Sequence, residues 1–218
     1  MKLLAVRMAR SIWLVPTYFL NPRGAFARPM VEAMKVRYGF LKTPLDNPFP
    51  QQNEGYKYEQ GVFNGKNGPV LISSVTIHED GIVVDTRSCT NDADAFLEDA
   101  INLGNKELGL PPVSELPIKR LYFSELNVAF ETAPLILSPK LSKFLNDVSS
   151  AIGGLGKGSA DFLGFQLATD PSVSDKPLQF RFEREFNVPY AENRYYSSVP
   201  TTTDTHIKLL EKLEKVAI

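Results

Sequence analysis

The alternation of apolar and polar positions across residues 69–109 predicts the most self-consistent local structure in this chain. Residues 70–77 and 82–87 are rich in β-branched side chains, which is typical of strands. The turn between them ends in an Asp-Gly pair, which favours a hairpin. Apolar side chains then recur at helical spacing until Gly109, and two prolines follow. We therefore predict a β-hairpin that leads directly into an amphipathic helix over residues 91–108.

The patterns on both sides of this hairpin predict further elements. The additional predicted strands are residues 11–20, 56–63, 118–131, 162–168 and 178–188. The additional predicted helices are residues 28–38, 138–152 and 203–217. Between the last strand and the last helix, a long polar and aromatic loop is predicted. Because strands outnumber helices and hairpins are frequent, we predict an α+β fold. Its largely antiparallel sheet would have about seven strands, with four helices packed on it.

Composition changes along the chain predict three regions. Residues 1–42 are expected to form a basic N-terminal arm, made of a strand and a short helix, that docks on the body of the protein. Residues 43–55 are rich in proline and have no hydrophobic periodicity, which predicts an extended linker. Residues 56–218 are expected to form one α+β domain.

The formal charge of −1 conceals a strong asymmetry. Residues 1–42 carry eight basic residues and one acidic residue, a net charge of +7, while the remainder carries sixteen basic and twenty-four acidic residues, a net charge of −8. Such a division favours contact between the arm and an acidic protein surface, on the same chain or on a neighbouring copy. A basic arm also suits nucleic acid, and that alternative stays open. The candidate residues for either contact are Arg7, Arg10, Arg23 and Arg28.

The charge asymmetry and the aromatic loop together predict a non-catalytic protein-binding or assembly subunit that associates with copies of itself. The surfaces expected to bind are the arm, the loop 43–55 and the loop 190–203. Tyrosine and arginine are enriched at protein interfaces and can also stack on nucleic-acid bases. The candidates in and near the second loop are Arg181, Arg184, Arg194, Tyr195 and Tyr196.

The order of elements also suggests an enzymatic alternative. From helix 28–38 to strand 118–131 the order is α-β-β-β-α-β, which is similar to the core of PD-(D/E)xK nucleases. The third strand carries Asp85-Thr86-Arg87 where those enzymes hold (D/E)-x-K, and Glu79 or Asp80 would supply the second carboxylate. The resemblance implies a phosphoester hydrolase in which Asp80 and Asp85 hold Mg²⁺. Arginine stands in place of the lysine, and Asp85 and Arg87 can equally form an outward-facing pair that binds no metal or cofactor.

The N-terminal residues do not predict a membrane segment. Arg7 and Arg10 interrupt the apolar stretch at the start of the chain, so neither a signal peptide nor a membrane span is expected. The sequence contains one cysteine, Cys89, which excludes an intramolecular disulfide. A reducing compartment, the cytoplasm, is therefore expected.

Overall fold

The computed structural model describes residues 1–24, 27–46, 55–131, 139–152, 162–173 and 178–216. Within these ranges the chain forms eight strands and five α-helices. The strands are β1 (Lys2–Leu14), β2 (Tyr56–Gly65), β3 (Gly68–His78), β4 (Gly81–Thr86), β5 (Lys119–Ala129), β6 (Gly164–Ala168), β7 (Gln179–Arg184) and β8 (Arg194–Val199). The helices are α1 (Thr17–Leu20), α2 (Ala27–Tyr38), α3 (Thr90–Leu108), α4 (Pro139–Ile152) and α5 (Thr203–Val216).

The strands belong to one sheet with the order β2-β3-β4-β1-β5-β8-β7-β6. The described registers pair β1 with β4, β2 with β3, β3 with β4, β6 with β7 and β7 with β8, and each pair is antiparallel. The chain is therefore α+β with a large antiparallel sheet. The described residues contain one strand and one helix more than the sequence predicted, namely β8 and α1.

The chain divides into two compact units. The larger unit comprises Ala5–Leu126 and Val199–His206. The smaller unit comprises Met1–Leu4, Asn127–Ser198 and Ile207–Ile218. The predicted division into an arm, a linker and a domain stays a prediction, and residues 47–54 of that linker lie outside the described residues.

In the larger unit, α2 and α3 cover one face of the strands, and the core lies between them. β1 pairs with β4 from Ala9 opposite Thr86 to Leu14 opposite Gly81. Along this strand Ala9, Ser11 and Trp13 are buried and alternate with more exposed residues, as a strand with one covered face requires. The aromatic centre of the core is formed by Trp13, Tyr38, Phe40, Tyr58, Phe63 and Phe96.

Helix α3 confirms the predicted apolar face. The apolar residues that recur at helical spacing, Ala93, Phe96, Leu97, Ala100 and Ile101, are all buried. Gly109 ends the helix in the left-handed conformation, with φ of 65°, and its backbone N–H donates to the carbonyl of Asn105. The N-terminal cap is Cys89, whose side chain makes no capping hydrogen bond. Instead, Thr90 and Thr203, the first residues of α3 and α5, cap each other. The backbone N–H of each threonine donates to the side-chain hydroxyl of the other at 3.1 Å.

The first strand and the first helix correct the predicted strand over residues 11–20. β1 already ends at Leu14, and the four residues of α1 follow Pro16. Proline has no backbone N–H for a ladder hydrogen bond and suits the start of a helix, which explains the change. The strand also begins much earlier than predicted, at Lys2, where no alternation of buried residues marks it.

The loop predicted between residues 187 and 203 contains the missed strand β8. Its residues are polar, yet Tyr195 and Ser197 are buried on one face. Ser197 lies opposite Phe182 of β7, and its hydroxyl donates to the carbonyl of Arg181 at 2.8 Å. A serine that is satisfied in this way can occupy a core position, so the polar composition conceals the strand.

The core of the smaller unit is aromatic. Phe182 lies at its centre, with its ring centroid 4.6 Å from that of Tyr195 and 5.4 Å from that of Phe130. Leu210 of α5 is also fully buried. Among the described helices of both units, none is long and apolar enough to cross a membrane.

Candidate functional site

Asp85, the central residue of the nuclease hypothesis, lies on β4 in an ion pair with Arg10 of β1. The two residues are directly opposite each other, and Arg10 donates from Nε and Nη2 to the two carboxylate oxygens at 2.7 and 2.9 Å. The hydroxyl of Ser74 on β3 also donates to Asp85, at 3.2 Å. The hydrogen bonds to the Asp85 carboxylate raise the pKa of Arg10. The arrangement therefore engages both oxygens of Asp85 in contacts across the sheet.

The other residues of that hypothesis lie apart from Asp85. Glu79 and Asp80 are exposed on the turn between β3 and β4. Asp85 is four positions beyond Gly81, which corresponds to about 13 Å along a strand. Arg87 follows the end of β4 and is exposed. Among the described residues, no group of three His, Cys, Asp or Glu side chains could hold a metal ion.

A cavity of about 1170 Å³ lies in the larger unit between α2, α3 and the β3–β4 hairpin. Apolar side chains such as Met30, Ile77 and Leu110 line it, and Glu79 and Asp80 are at its polar margin. Mixed charges at the margin and an apolar wall do not define one ligand chemistry.

The basic N-terminal residues are partly neutralised within the larger unit. Besides the pair of Arg10 with Asp85, Arg28 contacts Glu32 at 3.0 Å in an exposed pair. Arg7 and Arg23 are exposed. Of the four predicted arginines, Arg10 thus pairs across the sheet, Arg28 pairs on the surface, and the other two are exposed. The structure does not bring them together at one place on the described chain.

Two further contacts of this region were missed by sequence reasoning. Arg37 donates to both oxygens of Asp99 at 2.8 and 2.6 Å, and the hydroxyl of Tyr38 donates to the same carboxylate at 2.6 Å. The guanidinium lowers the pKa of Asp99. Nearby in sequence, Lys42 pairs with Glu59 at 2.9 Å, and contacts with Lys57 and then Lys42 lower the pKa of Glu59 to about 2. The sequence positions of Asp99 and Glu59 gave no sign of the pairs with Arg37 and Lys42, because these partners are distant along the chain.

The strongest polar cluster in the described residues of the larger unit surrounds Asp94 of α3. Its Oδ1 accepts hydrogen bonds from the hydroxyl of Ser11 at 2.5 Å and from Nε1 of Trp13 at 2.8 Å. Its Oδ2 accepts one from the hydroxyl of Tyr122 at 2.8 Å, and Arg120 lies over the Trp13 ring with its guanidinium carbon 4.4 Å from the ring centroid. These contacts tie α3 to β1 and β5. The cluster can therefore orient the helix on the sheet.

The aromatic and basic candidates of the loop 190–203 lie in and around the core of the smaller unit. Tyr195 is 1% exposed and packs in the aromatic core. The guanidinium carbon of Arg184 lies 4.3 Å from the centroid of Tyr190 and 5.4 Å from that of Tyr195, and its Nη1 donates to the carbonyl of Tyr190. Stacking and backbone hydrogen bonds therefore hold this half-buried guanidinium.

The remaining candidates of this loop form ion pairs on the same strands. Arg194 contacts Glu185 at 2.8 Å, and Arg181 contacts Glu183 at 2.7 Å. The guanidinium carbon of Arg181 is 5.9 Å from the ring centroid of Tyr196. Most of these side chains thus have described partners within the smaller unit, and their role in binding stays a prediction.

The apolar face of β6 and β7 was missed as a candidate, and several of its side chains are exposed. Phe165 lies opposite Phe182, and Leu167 lies opposite Phe180, so these four side chains share one face. Exposure rises toward β6: Phe182 is fully buried, Phe165 is half-buried, and Leu167 is 60% exposed. Leu163 and Leu178, at the ends of the two strands, are 60% and 57% exposed.

β6 is also the last strand in the order of the sheet, and one of its edges has no neighbouring strand among the described residues. The backbone N–H of Arg184 donates to the carbonyl of Leu163, and that of Thr169 donates to the carbonyl of Leu178. Because backbone groups alternate in direction along a strand, the odd-numbered residues of β6 face β7. The N–H and C=O groups of Gly164, Gln166 and Ala168 consequently point to the open edge. The sequence signal was the alternation of residues 163–167, which marks a strand but not its place in the sheet.

Comparisons of the chain with protein-family models, with curated proteins and with solved structures find no match.

Proposed function

We propose that this protein is a protein-binding assembly subunit that associates with further copies of itself. The observation that carries the proposal is the exposed apolar face along β6, where Leu163 and Leu167 lie at the open edge of the sheet, and Leu178 at the start of β7 extends it. Exposed apolar clusters on otherwise ordinary surfaces are typical of protein–protein contacts. Covering these leucines with a second apolar surface is favourable by about 25 cal/mol for each Å² of apolar area removed from water.

The charge distribution plays a smaller part in this proposal than the sequence suggested. Four of the eight basic residues before position 43 are paired with acids of the larger unit, namely Arg10, Arg28, Arg37 and Lys42. Those side chains have less to offer an acidic partner. Assembly through apolar side chains and backbone hydrogen bonds should accordingly be insensitive to salt, whereas assembly through exposed charges is screened.

The experiment is size-exclusion chromatography with light scattering at several protein concentrations, in about 0.1 M and about 1 M salt. We expect a species larger than 24.3 kDa in both buffers, with a population that rises with concentration. A monomer at every concentration and in both buffers would overturn the proposal. An oligomer that dissociates in high salt would indicate that exposed arginines such as Arg7 and Arg23 form the contact, and not the apolar face. The proposed compartment is the cytoplasm, on the strength of the single cysteine.

A further inference from the structure

We infer that strand β6 pairs antiparallel with β6 of a second copy, about a two-fold axis that lies midway between the two copies of Gln166. The inference rests on the proposed self-association and specifies the site at which it occurs. A two-fold contact brings the same surface of both copies together, so the strand must be complementary to itself. Three features of β6 meet that condition: its backbone register, its side-chain pairs and its lack of protection against pairing.

The backbone register follows from the groups at the open edge. Gly164, Gln166 and Ala168 direct their N–H and C=O groups away from β7, because the odd-numbered residues bond to β7. With the axis at Gln166, this residue faces Gln166 of the second copy, and Gly164 faces Ala168 of the second copy. Each of these is a hydrogen-bonded pair, so the interface gains about six backbone hydrogen bonds. A shift of the register by two residues leaves one outward residue of each strand without a partner.

The side chains are complementary in the same register. Phe165 faces Leu167 of the second copy in a non-hydrogen-bonded pair, where the side chains approach most closely. The reciprocal pair repeats this contact on the other side of the axis. Both pairs lie on the face that Phe180 and Phe182 occupy in β7. The contact therefore extends the apolar core across the junction and covers Leu167, which is otherwise 60% exposed.

The strand lacks the features that prevent edge pairing. Proteins block open edges with lysine, proline, bulges or inward-pointing charges. The residues of β6 are Gly-Phe-Gln-Leu-Ala, which include no charge and no proline, and the register with β7 is regular throughout. Gly164 is needed for packing, since a Cβ at this position would lie 2.5 Å from the Cα of Glu183.

The test combines a cross-link with a charge substitution. In a background of Cys89→Ser, Gln166→Cys should form an intermolecular disulfide under mild oxidation, because hydrogen-bonded partners are separated by about 5.5 Å between Cα atoms, within the range of a disulfide. Ala168→Cys is the matched control. It is exposed on the same face of the same strand, but the register separates the two copies of residue 168 by about 13 Å.

The second arm of the test is Leu167→Lys, which places a charge in the apolar pair at the edge. We expect this variant to lose the oligomer seen for the wild type and to keep its circular dichroism spectrum. Val173→Lys is the control, since Val173 is 83% exposed in the same unit but lies outside β6. It should leave the oligomer intact.

The outcomes separate the inference from the proposed function. An oligomer that Gln166→Cys does not cross-link and Leu167→Lys does not dissociate would overturn the pairing of β6 and leave self-association standing. Equal cross-linking of the Gln166→Cys and Ala168→Cys variants would overturn the register. A wild-type protein that is monomeric at every concentration would overturn the proposed function and the inference together.

Discussion

The polar cluster at Asp94 makes a sharp prediction about stability, because several donors depend on one carboxylate. Trp13 and Ser11 are fully buried, and both donate to Oδ1 of Asp94. Asp94→Ala leaves the indole N–H buried without its acceptor, which costs about 1–3 kcal/mol. The serine hydroxyl can rotate, and the hydroxyl of Tyr122 lies nearer to solvent, so each adds about 1 kcal/mol. We therefore expect the free energy of unfolding to fall by about 3–5 kcal/mol.

The assay is urea unfolding followed by tryptophan fluorescence. Trp13 is the single tryptophan of the sequence and donates directly to Asp94, so its emission reports on the larger unit and on this contact. With a slope of about 2–3 kcal/mol per molar urea, the urea concentration at the midpoint should fall by about 1–2.5 M. Asp94→Asn keeps one acceptor oxygen in the same shape and should lose about 1–2 kcal/mol.

The control is Asn102→Ala, an exposed position of the same helix, which should change stability by less than about 0.5 kcal/mol. A double-mutant cycle with Trp13→Phe, followed by far-ultraviolet circular dichroism, isolates the contact itself. We expect a coupling energy of about 1–2 kcal/mol. A coupling energy near zero, or an Asp94→Ala variant as stable as the wild type, would refute the reasoning.

Three further predictions concern the larger unit and use the same unfolding measurements. Asp85→Ala should lower the free energy of unfolding by about 1–2 kcal/mol, because it leaves the half-exposed Arg10 without its carboxylate partner. Glu32→Ala, in the exposed pair with Arg28, should lower it by less than about 0.5 kcal/mol. Equal effects of the two substitutions would contradict the greater weight given to the Arg10–Asp85 pair. Burial holds the pKa of His206 at about 4, below its usual 6.5, so only the unfolded chain binds the proton between these values, and the free energy of unfolding should decrease as the pH falls from about 6.5 to 4. His206→Gln should reduce the dependence of the free energy of unfolding on pH in this range, and an unchanged dependence would contradict the role given to His206. Gly61→Ala should lower the free energy of unfolding by about 1–3 kcal/mol, because its Cβ would lie 2.5 Å from the buried ring of Phe40. Gly104→Ala should be nearly neutral, because its Cβ meets the flexible end of Leu110 and alanine is favoured over glycine in a helix. A larger loss for Gly104→Ala than for Gly61→Ala would contradict the described packing.

Local patterns were sufficient to predict most of the elements of this fold. The hairpin of β3 and β4 and the helix α3 were predicted within a few residues, because their alternation, turn residues and C-terminal glycine act over short distances. The missed strand β8, in contrast, depends on contacts with residues that are distant in the sequence. Its buried Ser197 lies opposite Phe182, and its hydroxyl donates to the carbonyl of Arg181, a residue sixteen positions away in the sequence.

The candidate residues show the same division more clearly. The types and positions of Asp85 and Arg10 were visible in the sequence, but their pairing depends on β1 lying beside β4, although seventy-five residues separate them along the chain. The same holds for Asp94, whose partners come from two other strands. Tyr195 and Arg184 were visible in the sequence as candidates for binding, but only the structure shows that Tyr195 is buried in the core of the smaller unit with the guanidinium of Arg184 over its ring.

The amino-acid sequence alone determined the α+β class, the antiparallel character and the apolar faces of the helices, because these depend on side-chain periodicity and on turn chemistry between near neighbours. Only the tertiary structure decided that β6 is an edge strand, which of its backbone groups point outward and how far Leu163 and Leu167 remain uncovered. The physical reason is that the order of strands in a sheet is set by contacts between distant segments. The same alternating pentapeptide would be an ordinary core strand in the middle of a sheet, and it becomes a candidate interface only at the edge.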